Sequence, residues 1–499
     1  MREHLFSIEE AETNLFRTAT YLAENVGGGD GHAEAMKEIV EYYVEDKDVD
    51  TAAQLADTVA DPFVRDRLLL LVAEKCAELD DDEYALQLVD AIEEGGFQSV
   101  ARERLAMRKA AIGEFDKAFE LTETLQHSSD ALAVIAAEQS AKGLETESEK
   151  TLARIEFPYA KVNALLAVAA NYETKAEREK AAAAIEKAVE AARDIEFKEE
   201  KIRALQDAAA HFAHVSANDK AIETLAKARE EVETLEGVHR ESFLSQIALG
   251  FLRAGSLDLA ERTLDLIGDK VLIASTLAGY SMEFEAKGER ADALDTLEEA
   301  YKILKSQSER EVRSSKDKFG LYGTIALLFA KYEKVERGVE AAMENRDDGS
   351  RHYALNQIAQ VCALREDDDA AHQVLNLIDE DSERLFAFIS LSDVKSKAEK
   401  PDAALNYLKE AHNYCENVPQ LSSRSQAYNQ IARRFHDLGD SETARAVARR
   451  NLETVAQIRD ASVKSVSLLR LADVYKSLDF ELNDDERDIL RTMLKKAEW

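Results

Sequence analysis

The chain is poor in the residues that break helices and in those that cross-link. Its 499 residues include 4 prolines, 19 glycines, 3 cysteines and a single tryptophan. So few prolines and glycines exclude a loop-rich or all-β protein. Three cysteines cannot supply a disulfide framework and fit a reducing compartment. No apolar run approaches the roughly 20 residues of a membrane span. The N-terminal stretch Met1 to Ser7 lacks the apolar core of a secretion signal, so the cytoplasm is the expected location. Basic residues are also scarce: 64 against 99 acids, a net charge of −35. Such a chain will not adhere broadly to nucleic acid or anionic membrane.

What the chain has instead is a repeat. An apolar residue followed by a small one recurs twelve times, the small residues being Ala73, Ala106, Ala136, Ala169, Ala209, Ala248, Ser281, Ala326, Ala359, Ser392, Ala432 and Ala472. In eleven cases another small residue stands twelve positions later, as in Ala248/Ala260 and Ala432/Ala444. Seven positions after each lies a turn-compatible residue: Gly113, Gly143, Gly255, Gly288 and Gly439, or Asp, Glu, Ser or Ala. Around Ala248, Phe243, Leu244, Ile247, Phe251 and Leu252 share one helical face. Gly255 can end that helix, and Leu259, Ala260, Leu264 and Ile267 form a second face. Each unit is therefore expected to be a helical hairpin, with small residues where its two helices cross closely. Successive units are 30 to 45 residues apart, and the longer intervals are expected to lengthen the second helix, as in 181–195 and 221–235.

These motifs, such as Ile247-Ala248 with Gly255 and Ala260, or Ile431-Ala432 with Gly439 and Ala444, resemble the tetratricopeptide repeat family over about residues 35 to 480. The family's usual Trp in the first helix is absent, and so is the Pro after the second in nearly every unit. The resemblance implies an all-α solenoid of about 12–13 stacked hairpins in a right-handed superhelix. It also implies a concave groove, lined by first helices, that holds peptides or protein partners.

The expected organisation is an N-terminal helix over 1–26, started by the capping-box spacing of Ser7 and Glu10, and a flexible Gly-rich linker over 27–34. The repeat array follows over 35–480, with a candidate division near 305–318, where 304–318 reads as an extended helix or a loop. A polar helix over 481–499 is expected to cap an open array.

Two charge features bear on function. A basic residue stands eight positions before the small residue in nine of twelve units: Arg65, Lys161, Lys201, Arg240, Lys318, Arg351, Arg384, Arg424 and Lys464. With 64 basic residues in 499, chance gives one or two. Such cations either face the carbonyl end of the preceding helix or form a ladder for an acidic ligand. The second feature is an imbalance along the chain. Residues 1–100 carry −18, whereas 424–470 carry +4. The candidate site is the groove between about 350 and 475, where first helices bear Asn356, Gln357, Gln360, Asn429, Gln430, Arg433, Arg434 and Arg470, the candidate partner-binding residues. Amide side chains can bond both the donors and the acceptors of a peptide backbone.

No catalytic motif, phosphate-binding loop or cofactor motif is present, and no cofactor is expected. His211 and His214 lie three apart on one helix, but no third ligand is evident, so no metal is expected. The expected function is a non-enzymatic protein-interaction scaffold that holds a peptide segment or protein partner in its groove. The alternative is a nucleic-acid- or ribosome-associated factor using the basic C-terminal patch.

Overall fold

The turn residues set the architecture. In the computed structural model, which describes residues 4–27, 29–125, 127–237, 239–308 and 314–497, every residue seven positions after a repeat's small residue has positive φ. Five are glycines and seven are not: Asp80, Ala176, Ser216, Glu333, Glu366, Glu399 and Asp479. Lys47, with φ of 67°, adds one more turn at the N-terminal end. Each turn carries the bond of a Schellman motif, from the next N–H back to the carbonyl five residues earlier, as in Ser256 to Phe251 at 2.8 Å and Glu177 to Tyr172 at 2.9 Å. The chain therefore reverses direction at fixed register.

Two helices come first, α1 (Ile8–Ala11) and α2 (Leu15–Glu24). Helix–turn–helix pairs follow: α3 (Asp30–Glu45) and α4 (Val49–Asp57), α5 (Pro62–Glu78) and α6 (Asp82–Ala91), α7 (Gly95–Ile112) and α8 (Phe115–Thr122). Next come α9 (Ser129–Ala141) and α10 (Glu145–Ala153), α11 (Pro158–Thr174) and α12 (Arg178–Ala191), α13 (Lys198–His214) and α14 (Asn218–Glu233). Then α15 (Arg240–Arg253) and α16 (Leu257–Leu264), α17 (Lys270–Ala286) and α18 (Arg290–Ser306), α19 (Ser315–Lys331) and α20 (Val335–Met343). The last are α21 (Asp348–Leu364) and α22 (Asp368–Leu375), α23 (Asp381–Lys397) and α24 (Pro401–Tyr414), α25 (Leu421–Asp437) and α26 (Ser441–Gln457). α27 (Ala461–Ser477) and α28 (Asp484–Ala497) end the chain. There is no strand among the described residues. The protein is all-α and built of hairpins that resemble tetratricopeptide repeats. Among the described residues no helix is long and apolar enough to cross a membrane.

The paired small residues are where the helices of a hairpin touch. Where one of them is serine, its hydroxyl donates to the carbonyl of the other: Ser148 to Ala136 and Ser281 to Ala293 at 2.7 Å, Ser392 to Ala404 at 2.9 Å. Second helices have 8 to 10 residues in short intervals, as in α16 and α20, and 14 to 17 in long ones, as in α12 and α26. Of the interval from 304 to 318, Leu304–Ser306 ends α18 and α19 starts at Ser315; residues 309–313 lie outside the described residues.

The chain forms two compact units, Arg102–Ala354 on the one hand and Met1–Ala101 with Leu355–Trp499 on the other. In the first, α9, α11, α13, α15, α17 and α19 pack side by side. In the second, the two ends of the chain are packed together. α2 lies antiparallel along α27, taking the place that a second helix takes in an ordinary hairpin. Lys476 sits over the Phe16 ring at one end, the Ser465 hydroxyl donates to the Ala19 carbonyl at 2.8 Å, and Gly31 approaches Ser462 at the other. Leu15, Thr18, Ala19, Tyr21, Leu22 and Ala23 are all buried by this arrangement.

Three expectations change here. The N-terminal segment is not one helix: the capping box of Ser7 and Glu10 starts α1, but the Asn14 side chain accepts from Phe16 and Arg17 N–H and starts a second. The Gly-rich stretch yields to helix at Asp30, and His32 is buried with its Nδ1 3.1 Å from the Ala23 carbonyl. The C-terminal helix does not cap an open end. α28 lies against both α26 and α2, with Leu490 and Leu494 fully buried and Leu494 packed on Ala11 and Tyr21. This accords with the twelfth unit alone lacking a small residue at the second position, where Asp484 stands: the helix packed along α27 is α2.

Candidate functional site

Side by side in the same unit stand α25, α27 and α3, each the first helix of its repeat. Between them runs a groove with two adjoining hollows of about 250 and 500 Å³ that share Glu38, Gln426, Asn429 and Arg470. α25 and α27 supply Ser422, Gln426, Gln430, Arg433, Arg470 and Asp473. α3 supplies the opposite wall, Glu34, Glu38, Glu41, Tyr42 and Glu45. Helical spacing of three and four puts those four glutamates on one face.

Of the eight candidate residues the groove gathers four: Asn429, Gln430, Arg433 and Arg470. Asn429 is buried, and its Oδ1 accepts from Asn451 Nδ2 at 2.7 Å, so this amide also fixes α26 on α25. Arg433 pairs with Asp473, and Arg470 with Glu38 at 3.1 Å. Arg434 points the other way. Its guanidinium holds Asp393 of α23 through two bonds, of 2.6 and 2.7 Å. Asn356, Gln357 and Gln360 are on α21, half-buried, and Gln360 donates to Asn356 at 3.2 Å. They do not line this groove.

The basic island that singled out this region is largely spent inside the protein. Besides those pairs, Arg424 and Arg450 meet Glu416 at 3.0 and 2.9 Å, Arg445 meets Glu486 at 2.5 Å and Arg449 meets Asp485 at 3.1 Å. The groove itself has an acidic wall. Five carboxylates, Glu34, Glu38, Glu41, Glu45 and Asp473, stand against the two arginines, and burial pushes the Tyr42 hydroxyl up to about 12. The wall from α3 was not foreseen. Its four glutamates are visible in the sequence, but nothing there places them opposite α25.

The repeated cation eight positions before the small residue has a structural task in four units. Arg384, Arg424 and Arg351 donate to the carbonyls of Ile378, Val418 and Asn345, six residues upstream, and Lys318 to that of Gln307. Each cation neutralises the carbonyl end of the preceding helix or turn. A second set does the same between neighbouring repeats: Lys142 donates to Ala111, Lys287 to Leu252 and Lys395 to Ala363.

The histidine pair on α13 does have a third neighbour. Glu173, in the last turn of α11, lies 2.8 Å from His211 Nδ1 and 3.8 Å from His214 Nδ1. All three cysteines are buried, and burial pushes their thiols up, Cys76 to about 11.

No protein-family model matches the chain, and no curated protein matches it. Solved structures similar to it include Ton1535 from Thermococcus onnurineus NA1 (14% identity, 71% of this chain and 98% of that one, TM-score 0.26). Others are Naa15/Naa10 bound to HypK-THB (16%, 89% and 76%, TM-score 0.29) and yeast Tom70 (14%, 89% and 96%, TM-score 0.26).

Proposed function

We propose that the protein is a non-enzymatic scaffold that holds a segment of a partner protein in the groove between α25, α27 and α3. One observation carries this reading: three first helices from opposite ends of the chain meet there and present carboxylates, amides and two arginines along a single open trough. Gln426 and Gln430 offer both donors and acceptors to an extended backbone. The excess of carboxylate on the α3 wall favours a segment carrying lysine or arginine. The ion pairs that occupy Arg433, Arg434, Arg445, Arg449, Arg450 and Arg470 give the nucleic-acid alternative no supporting observation.

The test is selection of a random peptide display library on the full-length chain. The expected result is enrichment of basic peptides whose binding weakens about tenfold or more, roughly 1.4 kcal/mol, in Gln430→Ala combined with Glu41→Lys. Enrichment of acidic peptides, or equal binding by the variant, contradicts the proposal.

A further inference from the structure

We propose that Glu173, His211 and His214 form a binding site for a divalent transition-metal ion of the zinc class, joining α11 to α13. Their candidate ligand atoms, one from each side chain, all lie within 4.8 Å of one another. Each carboxylate oxygen meets a different imidazole: Oε1 is 2.8 Å from His211 Nδ1 and Oε2 is 3.8 Å from His214 Nδ1. Ligands about 2.0–2.1 Å from a tetrahedral zinc ion stand roughly 3.3 Å apart, so one atom from each of the three side chains, now within 4.8 Å of the others, must draw in by about an ångström. The adjustment needed is small, and His214, 72% exposed, is free to make it by rotation.

The placement follows from the repeat. Glu173 is in the last turn of one first helix, and His211 and His214 are in the last turns of the next, packed against it. The three-residue spacing puts both rings on one face, with centroids 6.1 Å apart. Two imidazoles and a carboxylate suit zinc, cobalt or nickel, and are a poor set for magnesium or calcium, which prefer oxygen throughout. The surrounding charge is balanced. Asp207, exposed one turn before His211, adds an anion, while Arg203 and Arg253 line the adjoining 700 Å³ cleft, the latter held by Glu283 at 2.6 Å. His214 lines that cleft, and three protein ligands leave a further position for water or a group from outside.

The experiment is calorimetric titration of the full-length chain with zinc, after stripping with chelator and in excess magnesium to fill carboxylate-only sites. One zinc per chain is expected, with affinity falling about tenfold or more in Glu173→Gln and in the His211→Ala/His214→Ala double variant. Zinc is also expected to raise the thermal midpoint of the wild type and not of the variants. Glu173→Gln is isosteric, and an unchanged circular dichroism spectrum verifies its fold. Absence of zinc binding in the wild type, or equal affinity in both variants, overturns the proposal.

Discussion

Ser465 donates its hydroxyl proton to the carbonyl of Ala19, 446 residues away, at 2.8 Å. The contact sits inside a composite hairpin in which the first long helix of the chain completes the last repeat. α27 resembles its predecessors in sequence but lacks a second helix of its own to cross it. α2, buried almost all round, supplies one.

Ala19 is fully buried at this crossing. Ala19→Leu is therefore expected to cost about 1–3 kcal/mol through overpacking. Hydrogen exchange should show 15–24 and 461–477 losing protection together. An open array, with α28 as its cap, predicts loss in the N-terminal helix alone.

The same logic holds for hairpins closed locally. A Cβ at Gly338 would stand 2.6 Å from the Ala326 carbonyl oxygen, too close for any real contact. Gly338→Ala should destabilise the protein by about 1–3 kcal/mol in denaturant unfolding. Ser281→Val, which removes the bond to Ala293 and leaves a buried carbonyl short of a partner, should cost about 1–3 kcal/mol as well.

Left-handed turns occupied by ordinary residues are strained. Ala176 has φ of 58° and Glu366 of 65°. Replacing either by glycine should stabilise the fold by about 1 kcal/mol, although a glycine on a regular helix does the reverse. A fall in the thermal midpoint of Ala176→Gly contradicts the assigned turn register.

These elements mark how far the sequence could be read. The small-residue pairs, the turn seven positions on and the lengthened second helices were all legible, because each is a spacing within one repeat. The join between α2 and α27 was not. A contact across 446 residues leaves no local periodicity, and its single trace was the missing small residue at Asp484. The candidate site was half legible for the same reason. Asn429, Gln430, Arg433 and Arg470 lie on the recognised repeats, whereas the glutamates of α3 face them only through the join. Charge counting misled too, since most of the basic island is paired internally.

His412 gives a pH signature. It packs edge-on against Tyr428 and Phe435, and burial pulls its pKa below the usual 6.5, an effect Glu416 opposes only in part. The unfolded chain then binds a proton more readily than the folded one. Its contribution to stability is complete above pH 6.5 and is lost as pH falls through the lower, folded value. Unfolding midpoints measured from pH 7.5 to 5 should decline less steeply in His412→Gln than in the wild type. Parallel slopes contradict this role for His412.

The most direct test of the whole account is hydrogen exchange of the full-length chain with and without a groove-selected basic peptide. New protection is expected in two segments at once, 34–45 and 422–473, because both walls of one trough are covered. Protection confined to one of them, or located instead on α13 and α15, contradicts it.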